Sequence, residues 1–175
     1  SIRLSINSSG FDDGQPPAKN GDFAFLLHIL ASMKSTGSGA IILPHGVLFR
    51  GNAESKLRAK ILARGYIKGI IGLPANLFYG TGIPACIIVL DKEGAAGRTM
   101  EGGGIFMVDA SKGFIKDGNK NRLRAQDMHR IVDTFTRQDG SDLKYARLVP
   151  LAEIAANDYN LNLPRYIDST EPEDL

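Results

Sequence analysis

The residues with most to say about chemistry lie in one loop, Leu77-Phe78-Tyr79-Gly80-Thr81-Gly82-Ile83-Pro84, which feeds directly into an apolar run. Glycines let a backbone come close to a ligand, and flat rings offer faces on which a planar group stacks. The plainer reading is that Phe78 and Tyr79 cap the core beneath a glycine loop. His45 is the other candidate, because it follows Pro44 at the end of a predicted strand, the edge where open α/β sheets bind ligands. A polar contact is what it offers. No second histidine or carboxylate stands at catalytic spacing, so a general-base role for His45 has no support. Nor does a glycine-rich nucleotide loop or a recognisable catalytic tetrapeptide come before these residues.

Two basic groups complete the inventory. Arg50, Lys56, Arg58, Lys60 and Arg64 fall on or beside a predicted helix, and Lys116, Lys120, Arg122 and Arg124 form a second cluster. Each could meet phosphates; a solvated charged face is the plainer reading of both. The whole chain has 21 basic and 19 acidic residues, so any nucleic-acid binding must be local or shared. The one cysteine, Cys86, sits inside an apolar run and reads as a small buried side chain, which excludes an internal disulfide or a paired-cysteine metal site. Apolar runs fall well short of a membrane span and no signal peptide opens the chain. A cytoplasmic protein with no membrane partner is the expectation.

The elements that must position these residues follow from periodicity. With 43% hydrophobic and 23% charged residues among 175, the chain is an ordinary globular sequence with enough length for one core. The first twenty residues are rich in turn formers and read as an opening loop. Phe23, Leu26, Leu27, Leu30 and Met33 recur at helical spacing, with Asn20 or Asp22 available as the N-cap and Gly37 beyond the end. The run 39–43, stopped by Pro44, suits a strand buried on both faces of a mostly parallel sheet. A helix over 54–63, strands over 66–73 and 85–90, and a right-handed crossover complete an α/β layered unit. The stretch 91–104 reads as a solvent loop making a hairpin connection to a strand over 105–109. Beyond it come a helix over 125–136, a polar turn over 139–144, an extended piece over 146–149, helical turns over 151–156 and an acidic, frayed tail over 168–175.

Four ordered motifs are specific enough to suggest a family. Asn20-Gly21-Asp22-Phe23-Ala24-Phe25-Leu26-Leu27-His28, Leu43-Pro44-His45-Gly46-Val47-Leu48-Phe49-Arg50-Gly51, Leu73-Pro74-Ala75-Asn76-Leu77-Phe78-Tyr79-Gly80-Thr81-Gly82-Ile83-Pro84 and Asn157-Asp158-Tyr159-Asn160-Leu161-Asn162-Leu163-Pro164-Arg165-Tyr166 resemble the modification subunit of type I restriction-modification systems. Such subunits are S-adenosylmethionine-dependent DNA adenine-N6 methyltransferases. The resemblance runs from about Gln15 to about Asp168. In the family, a glycine-containing cofactor loop and an Asn-Pro-Pro-aromatic motif both precede the segment matching Asn20, and neither stands here. Gln15-Pro16-Pro17-Ala18 has the prolines without the asparagine or the aromatic.

The resemblance therefore implies the C-terminal half of a Rossmann-like, three-layer methyltransferase domain over 21–150 with the first half of its sheet missing, and an extension over 151–175. It implies that Phe78 brings an aromatic ring against a flipped adenine, with Tyr79 beside it and Thr81, Gly82, Ile83 and Pro84 as the adjoining wall. Phe25 matches a position lining the adenine of the cofactor, although its place in a helical apolar stripe fits a core residue as well; Pro44 and His45 complete that wall. The implied partners are DNA, a specificity subunit that reads the sequence and a restriction subunit. Methyl transfer by this chain alone is not expected, since the groups that orient the adenine amine are absent. The alternative is a non-catalytic, truncated subunit that keeps only protein or DNA contacts. An uncovered edge on the strand over 40–43 would invite pairing with a second copy unless 3–6 folds back over it.

Overall fold

A computed structural model describes residues 21–78 and 80–170. The opening loop with its Asn20 cap and the 3–6 cover, Tyr79, and the end of the acidic tail lie outside the described residues.

Helix α1 (Gly21–Ser32) buries Phe23, Leu26, Leu27 and Leu30, the stripe that 3.6 residues per turn places on one face. Phe25 lies off that stripe and is 51% exposed, so the core reading of this residue is wrong. There follow β1 (Ser38–Pro44), a 3-10 turn (His45–Leu48), α2 (Ala53–Ala63), β2 (Ile67–Gly72), β3 (Ala85–Asp91), α3 (Ala95–Thr99) and β4 (Ile105–Asp109). A small hairpin of β5 (Ile115–Asp117) and β6 (Lys120–Arg122) precedes α4 (Ala125–Arg137), β7 (Ala146–Val149), α5 (Leu151–Ala156) and a closing 3-10 turn, Leu163–Arg165.

The main sheet has the order β1-β3-β2-β4-β7. Strand β3 runs antiparallel to both of its neighbours, β2 and β4 are parallel, and β7 is antiparallel to β4. The α/β layering is as expected, but the sheet is mixed and mostly antiparallel rather than mostly parallel. The cause is the loop over 73–84: antiparallel neighbours need only a loop between them, so β3 turns straight back against β2 and slots between it and β1. The expected hairpin over 91–104 is likewise absent, since β2 separates β3 from β4. That stretch instead holds α3, which Arg98 secures by donating to the Gly65 carbonyl (2.7 Å) and to Asp91 (3.0 Å).

One consequence of this order matters for the site. Strands β1, β2 and β4 all point the same way, so their carboxyl ends share one edge of the sheet.

Alternation along the strands separates two apolar layers. Cys86, Ile88 and Leu90 of β3 face α1, α2 and α5, whereas Ala85, Ile87 and Val89 face the side that α4 covers. Burial lifts the Cys86 thiol to about 12, so it stays protonated and inert. Helix α4 seats over β2 and β4 through Phe135, whose ring meets Phe106 edge-on at 5.8 Å. It leaves Ile42 of β1, on the same side, 56% exposed. Strand β1 is thus buried on one face only, contrary to the sequence expectation, and among the described residues it pairs on one edge only.

Gly69 is what lets α4 approach. A β-carbon there would stand 2.3 Å from the Phe135 ring and 2.6 Å from the Phe106 carbonyl oxygen. Gly69→Ala is expected to cost about 2–3 kcal/mol through overpacking, read as a lowered urea midpoint at unchanged slope.

Arg58 corrects the reading of a basic helix face on α2. It is 3% exposed and donates to three carbonyls: Tyr159 (2.7 Å), Val47 (3.2 Å) and Arg50 (3.0 Å). One turn earlier Glu54 is 2% exposed, and neither of its carboxylate oxygens has a hydrogen-bond partner among the described residues. Burial raises the Glu54 pKa above its ordinary 4.5, against the opposing pull of Arg50 and Arg58. A raised native pKa means the native state holds this proton more tightly than the unfolded chain, so stability falls as pH rises from 4.5 through the raised value. Glu54→Gln is therefore expected to raise the thermal midpoint at neutral pH. The gain should shrink as pH is lowered toward the ordinary carboxylate range; a gain independent of pH would contradict this.

Candidate functional site at the carboxyl edge of the sheet

The loop over 73–84 is held at its base by the sheet and shaped by its own sequence. Leu73 N–H donates to the Ala85 carbonyl and His45 N–H to the Pro84 carbonyl, each at 3.0 Å, which ties both loop ends to the carboxyl edge. Asn76 takes a left-handed conformation, φ 57°, and Gly80 does the same at φ 83°. Thr81 Oγ1 accepts from the Ile83 N–H at 3.1 Å and tightens the second half. At Gly82 a β-carbon would come within 2.8 Å of Asn76 Oδ1, so the two halves of the loop pack closely there.

Between this loop and the end of β1 is a cavity of about 230 Å³, lined by Ile42, Leu43, Pro44, Phe78, Thr81, Ile83, Pro84 and Ala85. Its wall is almost wholly apolar and carries no titratable side chain. Phe78 is 42% and Ile83 58% exposed, so both present apolar surface at the mouth. Such a cavity can hold a flat, apolar-faced ring and exclude water from it; it cannot move a proton. Phe78 and Ile42 also line a neighbouring apolar groove of about 480 Å³ with Leu77, Ile87, Met128 and Val132. Phe78 is the ridge between the two.

On the other side of Pro84 is a second cavity of about 230 Å³, with His45, Asp109, Ser111 and Asn162 among its lining. The His45 ring lies against Phe49, and its Nδ1 is 3.1 Å from the Pro84 carbonyl, the bond that orients the imidazole. His45 and Pro44, adjacent in sequence, thus face different cavities.

The structure therefore brings together five of the residues singled out by sequence: Pro44, Phe78, Thr81, Ile83 and Pro84. Gly82 adjoins them, Tyr79 is outside the described residues, and Phe25 lines none of these cavities, being on the solvent side of α1. Phe25, Pro44 and His45 share none of these cavities. No group of His, Cys, Asp and Glu suited to a metal ion occurs among the described residues, and no helix among them is long and apolar enough to cross a membrane.

What sequence reasoning missed is the β5–β6 hairpin, which reaches the back of the loop. Asn121 donates from its backbone N–H to the Asn76 carbonyl and from Nδ2 to the Ala75 carbonyl, both at 2.8 Å; Lys120 Nζ donates to the Phe78 carbonyl. The signal for it was present: Asp117-Gly118-Asn119 is a hairpin turn sequence, and Gly118 adopts φ 63°. The basic cluster over 116–124 is in part committed internally. Arg122 pairs with Asp117 (3.4 Å), and Arg124 closes a capping box on α4 with Asp127 (2.9 Å), which holds the Asp127 carboxyl below its usual range.

Strands β1, β2 and β4 end beside the apolar cavity, at the carboxyl edge where open α/β sheets bind their ligands. The chain belongs to the N-6 DNA methylase family, whose model matches residues 4–174. It is 34% identical over 166 residues to the type I restriction enzyme MjaVII methylase subunit of Methanocaldococcus jannaschii, covering 92% of this chain and 27% of that protein. With the MpnII methylase subunit of Mycoplasma pneumoniae it shares 31% identity over 160 residues, 91% of this chain and 28% of the relative. The crystal structure of a type I restriction-modification methyltransferase subunit from Streptococcus thermophilus matches with a TM-score of 0.79 at 44% identity, over 87% of this chain and 31% of that one. The partial Rossmann-like fold is thus that of a methyltransferase subunit. The chain spans little more than a quarter of the length of these curated relatives.

Proposed function

We propose that this chain is the base-holding part of a type I restriction-modification methyltransferase subunit, which in complete form transfers a methyl group from S-adenosylmethionine to adenine N6 in DNA. The observation that carries the reading is the apolar cavity between β1 and the loop over 77–84, with Phe78 at its mouth. An adenine taken out of a duplex needs a flat surface on each face and freedom from water. Phe78 supplies one such surface, and Tyr79 follows it in the sequence; Thr81, Gly82, Ile83 and Pro84 form the wall that limits where the ring can go. Pro44 closes the floor at the end of β1. S-adenosylmethionine, when bound by the complete subunit, supplies the electrophilic methyl group; Phe25, Pro44 and His45 contribute at most one side of its site.

DNA, a specificity subunit and a restriction subunit are the partners of this reading, which places the protein in the cytoplasm. Methyl transfer by the chain alone is not expected, since the reading gives it the base-holding wall and only one side of the cofactor site. Among the described residues one edge of β1 is unpaired, and a second copy of the chain is one strand that fits it; a clean monomer by light scattering at high concentration would count against that pairing.

The test is transfer of a labelled methyl group to adenine in duplex DNA. It is run with this 175-residue chain and with a polypeptide of the relatives' length assembled with its specificity subunit. Transfer by the assembly only is expected. Transfer by the short chain would contradict the division of labour, and none by the assembly would contradict the activity.

A further inference from the structure

The loop that carries Phe78 is tied to the sheet at both ends, but between those ends the Phe78 side chain itself is held by little packing. Phe78 is 42% exposed, the backbone turns through a left-handed residue at Asn76, and glycines follow at 80 and 82. A side chain so exposed is not fixed by packing, and a loop with these glycines has many conformations to choose from. Against that background, three carbonyls within four residues, at Ala75, Asn76 and Phe78, accept hydrogen bonds from the single segment 120–121.

We propose that Asn121 is a positioning residue for base binding: through the β5–β6 hairpin it latches the loop so that the Phe78 ring stands ready at the mouth of the cavity. The inference rests on the reading of that cavity as the adenine pocket. Asn121 does not line that cavity; it borders the neighbouring groove on the other side of Phe78. It acts by raising the fraction of molecules in which the ring is already placed, and a fall in that fraction lowers apparent affinity for the extruded base by the same factor. The side-chain bond to Ala75 is the separable part of the latch, because substitution leaves the backbone bond from 121 to 76 in place.

The experiment is a double-mutant cycle in the complete methyltransferase assembly, with methylation kinetics at saturating S-adenosylmethionine for wild type, Asn121→Ala, Phe78→Ala and the double variant. One lost hydrogen bond predicts a fall in kcat/KM of about fivefold for Asn121→Ala, with the thermal midpoint within a degree or so of wild type. The double variant should be no slower than Phe78→Ala alone, since the latch has nothing left to place. Asn121→Asp, which keeps the shape but sets a carboxylate oxygen against the Ala75 carbonyl, should lose at least as much as Asn121→Ala. Amide exchange over 76–83 should quicken in both.

Additive losses in the cycle, or an Asn121→Ala enzyme with wild-type kinetics beside an impaired Phe78→Ala enzyme, would overturn the positioning role while leaving the pocket intact. A Phe78→Ala enzyme as active as wild type would overturn the pocket reading, and the latch with it.

Discussion

Replacing Phe78 by alanine in the complete subunit is expected to lower kcat/KM for adenine methylation by about ten- to a hundredfold, the equivalent of roughly 1–3 kcal/mol of base stacking. The size follows from where the ring stands. It is 42% exposed at the mouth of a cavity with no titratable group and no hydrogen-bonding side chain except Thr81. Contact area and stacking are therefore nearly all that this wall offers a base. The same exposure means the fold loses little with the ring, so the thermal midpoint should hardly move. Phe78→Tyr and Phe78→Trp keep a flat face and should retain most of the activity; Phe78→Leu keeps apolar bulk and should not. If leucine rescued as well as tyrosine, bulk rather than stacking would be what matters, and if alanine unfolded the chain, Phe78 would be a core cap after all.

The second large effect is on stability. Arg58→Ala is expected to destabilise the chain by about 3–5 kcal/mol, a large share of the roughly 5–15 kcal/mol by which domains are stable. Three carbonyls lose their donor at once, from the 3-10 turn after β1, the loop before α2 and the segment after α5. Glu54, already buried without a hydrogen bond among the described residues, would also lose the cation that opposes its desolvation. Arg58→Lys should rescue poorly, because one ammonium cannot present the guanidinium fork to carbonyls on three segments. Urea unfolding of the variants gives the number; a loss under about 1 kcal/mol would mean that water replaces the guanidinium more easily than its burial implies.

Much of the fold was legible because the local signals were unambiguous. Strand β7 and helix α5 begin and end where the sequence analysis put them, since Pro150 separates a short apolar strand from a helical run. Helix α1 followed from its apolar stripe. The strand order was not legible. The runs that become β1, β2 and β3 are all short and apolar, and nothing in such a run says which neighbour it pairs with or in which direction. Helix α3 was hidden because glycine and alanine around 94–97 read as loop; what holds it is Arg98, whose partners Gly65 and Asp91 are distant or irregular in sequence terms.

The site shows the same division. Phe78, Thr81, Ile83 and Pro84 stood out because glycine and aromatic residues in one loop are rare enough to notice, and the structure gathers them around one cavity with Pro44. The separation of Pro44 from His45 could not be read from adjacent letters, because it depends on the 3-10 turn that begins at His45. Arg58 looked like one of several surface cations, and only its tertiary carbonyl partners mark it as internal. Asn121 lies in a polar stretch without periodicity, and its role depends on a contact 45 residues or so away in sequence.

The measurement that bears most directly on the central claim is photochemical cross-linking. A duplex carrying 5-iodouracil in place of the target adenine would be irradiated in complex with the complete assembly, and the attached peptide sequenced. The account predicts attachment within 77–84, centred on Phe78 or Tyr79 and abolished by removing the rings. Efficient attachment to a peptide elsewhere in the assembly, with 77–84 unmodified, would contradict it.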